Sequence, residues 1–357
     1  MKNIVFIGSV GEQNNGPTMI LRKLIEQFSN EPDIRTETIL LDANTSKQAF
    51  IQRIIKDVLK GKGKIINVHT NGFLVPYFIY LISRINKKNE YYLTVHGLYI
   101  VEAEISKSKK RIYSWLERRL CQKFPNLICV SDMLTKNIEQ FYHRTKQVYV
   151  IGNATDATEV IAETDVENNL QLHTPIRFIS LGGINRRKGV FNNLSWMNAL
   201  INEYHVDARL DIYGSIESDE VSEKYEETKQ KFHLDKVINY CGYLNGKTEV
   251  YQKLMEADFQ LCMSIYDTFN VAIIEGMVCG CPCLSTYACG AIDFIKPNEN
   301  GFLWDKETEN QLCQKLANMS DKEYSIMSDK AREIAPFVTW SYIAKQYQKL
   351  FWKENGI

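Results

Sequence analysis

"SIYDTFNVAIIEGMVCGCPC", residues 264–283, carries a helix between two stop signals. Asp267 and Thr268 suit a helix N-terminus, because a short side-chain oxygen can accept from the unpaired first amides. "FNVAIIEGMV" continues the helix, Gly280 suits the left-handed residue beyond its end, and Pro282 follows. "DFQLCMS" upstream and "CPCLST" downstream are short apolar runs of the kind that form buried strands. Strand, helix, strand at this spacing is one unit of a parallel sheet.

Outward from this unit the alternation repeats. "NIVFIG", "ETILLD", "KIINVHT", "EYYLTVHG", "NLICVS" and "QVYVIGN" read as strands in the first half, with helical segments such as "FIYLISRINKK" between them. "IRFISLGG", "ARLDIYG" and "VINYCGY" precede the opening unit in the second half. Polar, aperiodic residues 157–175 read as a linker, and "WSYIAKQYQKLFWK" reads as a closing amphipathic helix. The expected class is α/β, with two doubly wound parallel-sheet domains facing a cleft. The expected limits are 1–156 for the first domain, 174–336 for the second, and 337–357 for a helix crossing back to the first. Ligands of such sheets bind at the carboxyl ends of the strands.

The chain's 357 residues allow two domains with cores of their own. Net charge is zero, but residues 1–150 hold 23 Lys+Arg against 13 Asp+Glu, and the remainder 20 against 30. The imbalance points to two modules with different partners, or to differently solvated surfaces. "MKNIVFIGSVG" lacks the longer apolar region of a signal peptide. "FLVPYFIYLI", residues 73–82, is too short to span a bilayer and predicts a buried helix. A cytoplasmic protein with reduced thiols is expected. Cys279, Cys281, Cys283 and Cys289 lack the paired spacing of a zinc site and read as small buried hydrophobes, with no metal.

Several stretches can carry chemistry. "GSVGEQNNGPT" places Gly8, Gly11 and Gly16 after the first strand, either for approach to a phosphate or for turning alone. "FISLGGINRRKGV" puts Arg186, Arg187 and Lys188 at a strand's carboxyl end, where they can neutralise a diphosphate or form an exposed turn. Asp267 and Glu275 lie eight apart, which on one helix turns them by roughly 80°. His96 in "TVHG" is a catalytic or a structural histidine, and His69 in "NVHT" reads as structural. "KSKKRIYSWLERRLCQK", residues 107–123, has seven Lys/Arg against one Glu with Ile112, Trp115 and Leu116 interleaved. It suits an anionic membrane surface or a lipid diphosphate, or is an ordinary exposed helix. Basic, aromatic-interleaved motifs are absent elsewhere, so no nucleic-acid partner is expected.

Together these pieces resemble retaining glycosyltransferases of family 4 (glycosyltransferase group 1), which have the GT-B fold. Asp267, Phe269, Glu275, Gly280 and Pro282 match that family's pair of acids separated by seven residues. "ACGAIDFIKPNENGFLW" resembles its Gly-Gly-x-x-Glu stretch, with Asp293 in the Glu position and Asn300-Gly301 following. "ISLGGINRRKG", "VIGNATD", "ICVSDMLTKNI" and "TVHG" match further stretches in order. The resemblance implies that Glu275 binds the ribose hydroxyls of a nucleotide sugar and Asp267 faces the donor sugar. It implies that the backbone at Phe269, Asn270 and Val271 lies near sugar and phosphates, with Lys188 and Gly16 at the diphosphate and either Arg186 or Arg187 in place of the family's loop arginine. It also implies His96 at the reaction centre, and no cofactor or divalent metal. Asp267 departs from the usual Glu, Gly183 stands in the position of the usual Arg, and Gly152 and Ala154 replace an interdomain Pro and Gly.

The expected activity is metal-independent, hexosyltransferase-type transfer from a nucleotide diphosphate sugar, a UDP-sugar favoured, to a saccharide or lipid-linked saccharide. Bacterial surface polysaccharide synthesis, lipopolysaccharide O-antigen or capsule, is the expected setting. The enzyme would lie peripherally on the inner face of the plasma membrane, with Lys109, Lys110, Arg111, Arg118 and Arg119 as the acceptor or membrane surface. A nucleotide-sugar 2-epimerase of the same fold and a non-catalytic sugar-nucleotide binder are the alternatives.

Overall fold

In the computed structural model, Ile4, Val5, Phe6 and Ile7 have no solvent exposure, the burial a parallel strand acquires when helices cover both faces of its sheet. The structure describes residues 2–9, 16–42, 45–69, 72–162 and 171–353. The chain divides into two units, Met1–Ala154 with Trp340–Ile357, and Thr155–Thr339.

The first unit's strands are β1 (Lys2–Ser9), β2 (Ile34–Leu41), β3 (Lys64–His69), β4 (Glu90–Val95), β5 (Asn126–Cys129) and β6 (Val148–Val150). Its helices are α1 (Gly16–Ser29), α2 (Lys47–Ile54), α3 (Leu74–Ile85), α4 (Tyr99–Ile105), α5 (Arg111–Lys123) and α6 (Asp132–Tyr142). The sheet is parallel in the order β2-β1-β3-β4-β5-β6. The last helix of the chain, Trp340–Trp352, packs on this unit, burying Trp340, Tyr347 and Phe351 with Phe6, Leu24 and Phe28.

The second unit contains α7 (Ala157–Ala162), β7 (Ile176–Ser180), α8 (Val190–Asn198), β8 (Ala208–Tyr213), α9 (Asp219–Lys231), β9 (Ile238–Gly242) and α10 (Lys247–Glu256). It continues with β10 (Phe259–Cys262), α11 (Val271–Val278), β11 (Cys283–Thr286), β12 (Gly301–Trp304), α12 (Glu309–Ala317) and α13 (Asp321–Arg332). Its sheet is parallel in the order β12-β11-β10-β7-β8-β9. Phe178, Phe259, Phe302 and Tyr324 centre its core, with Phe178 and Phe259 stacked at 5.7 Å. Two doubly wound α/β sheets are thus present. In the second, the chain builds outward from β7 in one direction and then restarts at β10 in the other. The β7–β10 seam is therefore a topological switch point, where parallel sheets take ligands.

Four sequence expectations need correction. Residues 157–162 form α7 instead of linker, while 163–170 lie outside the described residues. "NGFLW" contains an edge strand, β12, that its short apolar run did not announce. α3 is not a buried helix, since Leu74, Phe78, Leu81 and Ile85 are exposed while Pro76, Ile79, Tyr80 and Ile82 face inward. A helix apolar on every side gives the sequence no sign of which face is covered. The helix read from Asp267 begins later, at Val271. Among the described residues, no helix is long and apolar enough to cross a membrane.

Candidate active site

The loop after β7 and the loop after β10 meet at the switch point. Gly189 makes this possible: its φ is +83°, and a Cβ there would lie 1.7 Å from the Met263 carbonyl oxygen. The Ile265 amide donates to the Arg187 carbonyl at 2.9 Å, fixing the two loops together. Lys188 then reaches across, its Nζ donating to Asp267 Oδ2 at 2.6 Å. Arg187 lies 3.7 Å from the same oxygen and donates to the Tyr266 carbonyl at 3.1 Å. Arg186 turns away, 3.2 Å from Glu220 on exposed surface. Of the two arginines, Arg187 is the one brought to the acidic residue.

Asp267 is not on a helix, so the 80° rotation does not describe its relation to Glu275. Its backbone pairs with the next loop instead, taking the Gly290 amide and donating to the Ala288 carbonyl, each at 2.9 Å. Its Oδ1 accepts from the Phe269 amide at 3.3 Å. Phe269 is buried edge-on against Phe294. Asn270 holds the left-handed N-cap position of α11, with φ 67°. A cavity of about 30 Å³ lies among these loops, lined by Lys188, Gln260, Ser264, Asn270 and Ala272.

α11 lies directly on β10, because a Cβ at Gly276 would come within 1.9 Å of Gln260 Oε1. This seats Glu275 beside α10. Tyr251 Oη donates to Glu275 Oε1 at 3.3 Å, and Lys247 pairs with Asp156 at 2.6 Å. Burial raises the Glu275 carboxyl above the ordinary range; Asp156 adds to this, while Lys247, Lys188 and the Tyr251 bond oppose it. Sequence reading found Glu275 but not Tyr251, Lys247 or Asp156. Tyr251 and Lys247 do share a helix face at i, i+4 spacing, which is a signal only once Glu275 is known to be near.

Behind this helix, Cys279, Cys281, Cys283 and Cys289 are buried. Burial pushes their thiols up, and Cys283 Sγ lies 3.3 Å from both the Ile273 carbonyl and Gln260 Oε1. They pack as scaffold for α11 and β11. Among the described residues, no group of three or more His, Cys, Asp or Glu is arranged to hold a metal ion.

In the first unit, His96 follows β4 and His69 ends β3. Asn67 Nδ2 donates to Thr94 Oγ1 at 3.0 Å, which turns Asn67 Oδ1 toward His69 Nε2 at 2.8 Å. His69 therefore carries its proton on Nε2. Its bare Nδ1 accepts from His96 Nε2 at 3.0 Å, leaving His96 Nδ1 as a hydrogen-bond acceptor. His69, read as structural, thus sets the tautomer of His96. Burial lowers both rings, His96 to about 4. Both ¹⁵N ring signatures should stay neutral between about pH 8 and pH 5.5. Asn67→Leu should give His96 a mixed-tautomer spectrum, and an unchanged spectrum would show that the relay does not govern it.

Gly16 opens α1 with no atom within 4 Å of a would-be Cβ, room for the close approach expected of it. Gly11 lies outside the described residues. Lys109, Lys110, Arg111, Arg118 and Arg119 are all exposed on or just before α5.

Comparison with known proteins bears on this arrangement. The family described as "Glycosyl transferases group 1" matches residues 162–336, and that described as "Glycosyltransferase Family 4" matches residues 30–159. This chain is a family 4, group 1 glycosyltransferase. The glycosyltransferase is 29% identical over 94 residues to a probable sucrose-phosphate synthase of Thermosipho melanesiensis, a match covering 26% of this chain and only 22% of that relative. Its fold resembles that of the lipopolysaccharide outer core galactosyltransferase WaaB, with TM-score 0.74, 15% identity and 99% of each chain covered. It also resembles Anabaena HepE, solved with UDP-glucose, with TM-score 0.69 and 14% identity over 99% of this chain and 100% of that one. These likenesses identify the architecture of the glycosyltransferase as GT-B.

Proposed function

We propose that this glycosyltransferase moves a sugar, with retention, from a nucleotide diphosphate sugar to a saccharide or lipid-linked saccharide in surface polysaccharide synthesis, of lipopolysaccharide or capsule. The observation that carries the reading is the convergence of Lys188 and Arg187 on Asp267 at the switch point, with Glu275 on the adjoining helix. A UDP-sugar is the favoured donor, a choice supported by the UDP-glucose in the Anabaena structure.

In this mechanism the acceptor hydroxyl forms a bond to the anomeric carbon on the face the diphosphate leaves. The bond from that carbon to the diphosphate oxygen breaks, its electron pair staying with the diphosphate, which also takes the acceptor's proton. Lys188 and Arg187 stabilise the growing negative charge with donors already oriented. Before donor binds, Asp267 holds Lys188; the diphosphate then takes the ammonium and frees Asp267 for the sugar hydroxyls. The amides near Phe269, Asn270 and Val271 add the positive end of a helix. Glu275 holds the ribose. Two side-chain cations do the neutralising, so transfer should persist in chelator.

Lys109, Lys110, Arg111, Arg118 and Arg119 face an anionic membrane or lipid diphosphate at the inner face of the plasma membrane. A panel of UDP-, GDP- and ADP-sugars, read by product and by melting temperature, tests the donor reading. A UDP-sugar at about a hundred times its Kd should stabilise the fold by about 2.7 kcal/mol. Protection by no nucleotide sugar would defeat the proposal, and an epimerised free sugar without transfer would replace it by the epimerase reading.

A further inference from the structure

α3 and α5 form a face of the first unit that is apolar in its middle and cationic at its edge. On α3, Leu74, Phe78, Leu81 and Ile85 are 74%, 37%, 41% and 75% exposed. Spacings of four, three and four residues line them along one side of the helix. On α5, Ile112 and Trp115 are 57% and 44% exposed, while Leu116, Leu120 and Cys121 pack inward. Tyr77 joins the two helices, its ring 5.5 Å from that of Trp115. The apolar surface is therefore continuous across two elements.

Cations surround it. Arg84, Lys87 and Lys88 are exposed at the end of α3, and Lys109, Lys110, Arg111, Arg118 and Arg119 on or before α5. Lys110 lies over the Tyr113 ring at 5.5 Å and Arg119 over the Trp115 ring at 5.8 Å. The one carboxylate in either helix, Glu117, is buried, where it accepts from the Tyr99 and Ile100 amides and the Tyr142 hydroxyl. An apolar stripe, then aromatic rings, then cations, with no exposed acid on α3 or α5 themselves, is the layering that an anionic bilayer presents in reverse: acyl chains, interface, phosphates.

We propose that α3 and α5 insert together into the headgroup–acyl boundary of an anionic membrane. Leu74, Phe78, Leu81, Ile85 and Trp115 enter below the phosphates, and the flanking cations bind them. This deepens the membrane contact proposed above and rests on it. Electrostatic contact alone would need only the cations of α5; insertion also requires the α3 stripe, which carries no charge until Arg84.

The test uses the full chain with vesicles of phosphatidylcholine, and of phosphatidylcholine containing about one quarter phosphatidylglycerol, some with brominated acyl chains. Tryptophan emission should shift to the blue and be quenched by the brominated anionic vesicles, and Trp115→Phe should abolish the quenching. The pair Leu81→Gln and Ile85→Gln should weaken partitioning about tenfold, with melting unchanged because both side chains are exposed. Binding without quenching, abolished at about 0.5 M salt, would overturn insertion and leave the electrostatic contact standing. Absence of binding to either vesicle would overturn both. A dimer that becomes a monomer in the Leu81/Ile85 variant would assign the face to a second copy of the chain and overturn insertion.

Discussion

Glu275→Ala should lower kcat/KM for the donor by about 10²- to 10⁴-fold. A carboxylate accepting from two ribose hydroxyls makes two charge-assisted bonds of about 1.5–3 kcal/mol each, and about 1.4 kcal/mol is a factor of ten. Glu275→Gln separates binding from folding. Its amide oxygen can still accept from Tyr251, and a neutral side chain avoids the desolvation that raises the native carboxyl. Melting should therefore hold or rise while donor affinity falls. The pH dependence has a definite sign. Lowering the pH through the raised pKa of Glu275 protonates it and removes an acceptor, so donor binding weakens toward acid sooner than an ordinary carboxyl would cause. Glu275→Gln should flatten that acid limb. Titration calorimetry with UDP across pH reads both effects, and near-native affinity in the alanine variant would sink the ribose assignment.

Much of the fold around this site was legible in the sequence, for physical reasons that also mark the limits. A parallel sheet covered on both faces writes itself as short apolar runs, as in "NIVFIG" and "DFQLCMS", and these fixed the α/β class. β12 escaped because only three apolar residues, Phe302–Trp304, stand between the turn-forming Asn300-Gly301 and Asp305. The helix start was misplaced because Asp267 looks like a cap by type, yet its backbone is claimed by Ala288 and Gly290 far along the chain. Asn270 takes the cap by adopting a left-handed conformation that nothing local demanded. Partners of Glu275 and His96 were invisible for the same reason. Asp156 meets Lys247 across 91 residues and His69 meets His96 across 27, and such pairings are set by strand order. Arg186 and Arg187 are adjacent and chemically alike; only the loop's path turns Arg187 to Asp267 and Arg186 to Glu220.

Lys188→Met should lower kcat by about a hundredfold or more, the loss seen when one preorganised donor is removed from developing charge, about 2.7–4 kcal/mol. Methionine keeps most of the apolar stem, so the contact with Gly182 survives and only the ammonium is lost. The vacated Asp267 keeps Arg187 at 3.7 Å, and both groups are partly solvated, so folding should persist. Lys188→Arg should rescue poorly, because a planar guanidinium cannot replace a point charge at a 2.6 Å contact. Asp267→Asn frees the ammonium but removes the group assigned to the sugar, so it should weaken transfer while leaving UDP binding intact or stronger. The division between kcat and KM decides what Lys188 does. Charge on the diphosphate grows as its bond to sugar breaks, so a donor placed for that oxygen contributes more in the transition state than in the bound substrate. A loss confined to KM, with kcat unchanged, would mean that Lys188 binds the resting diphosphate alone, and its leaving-group role would fall.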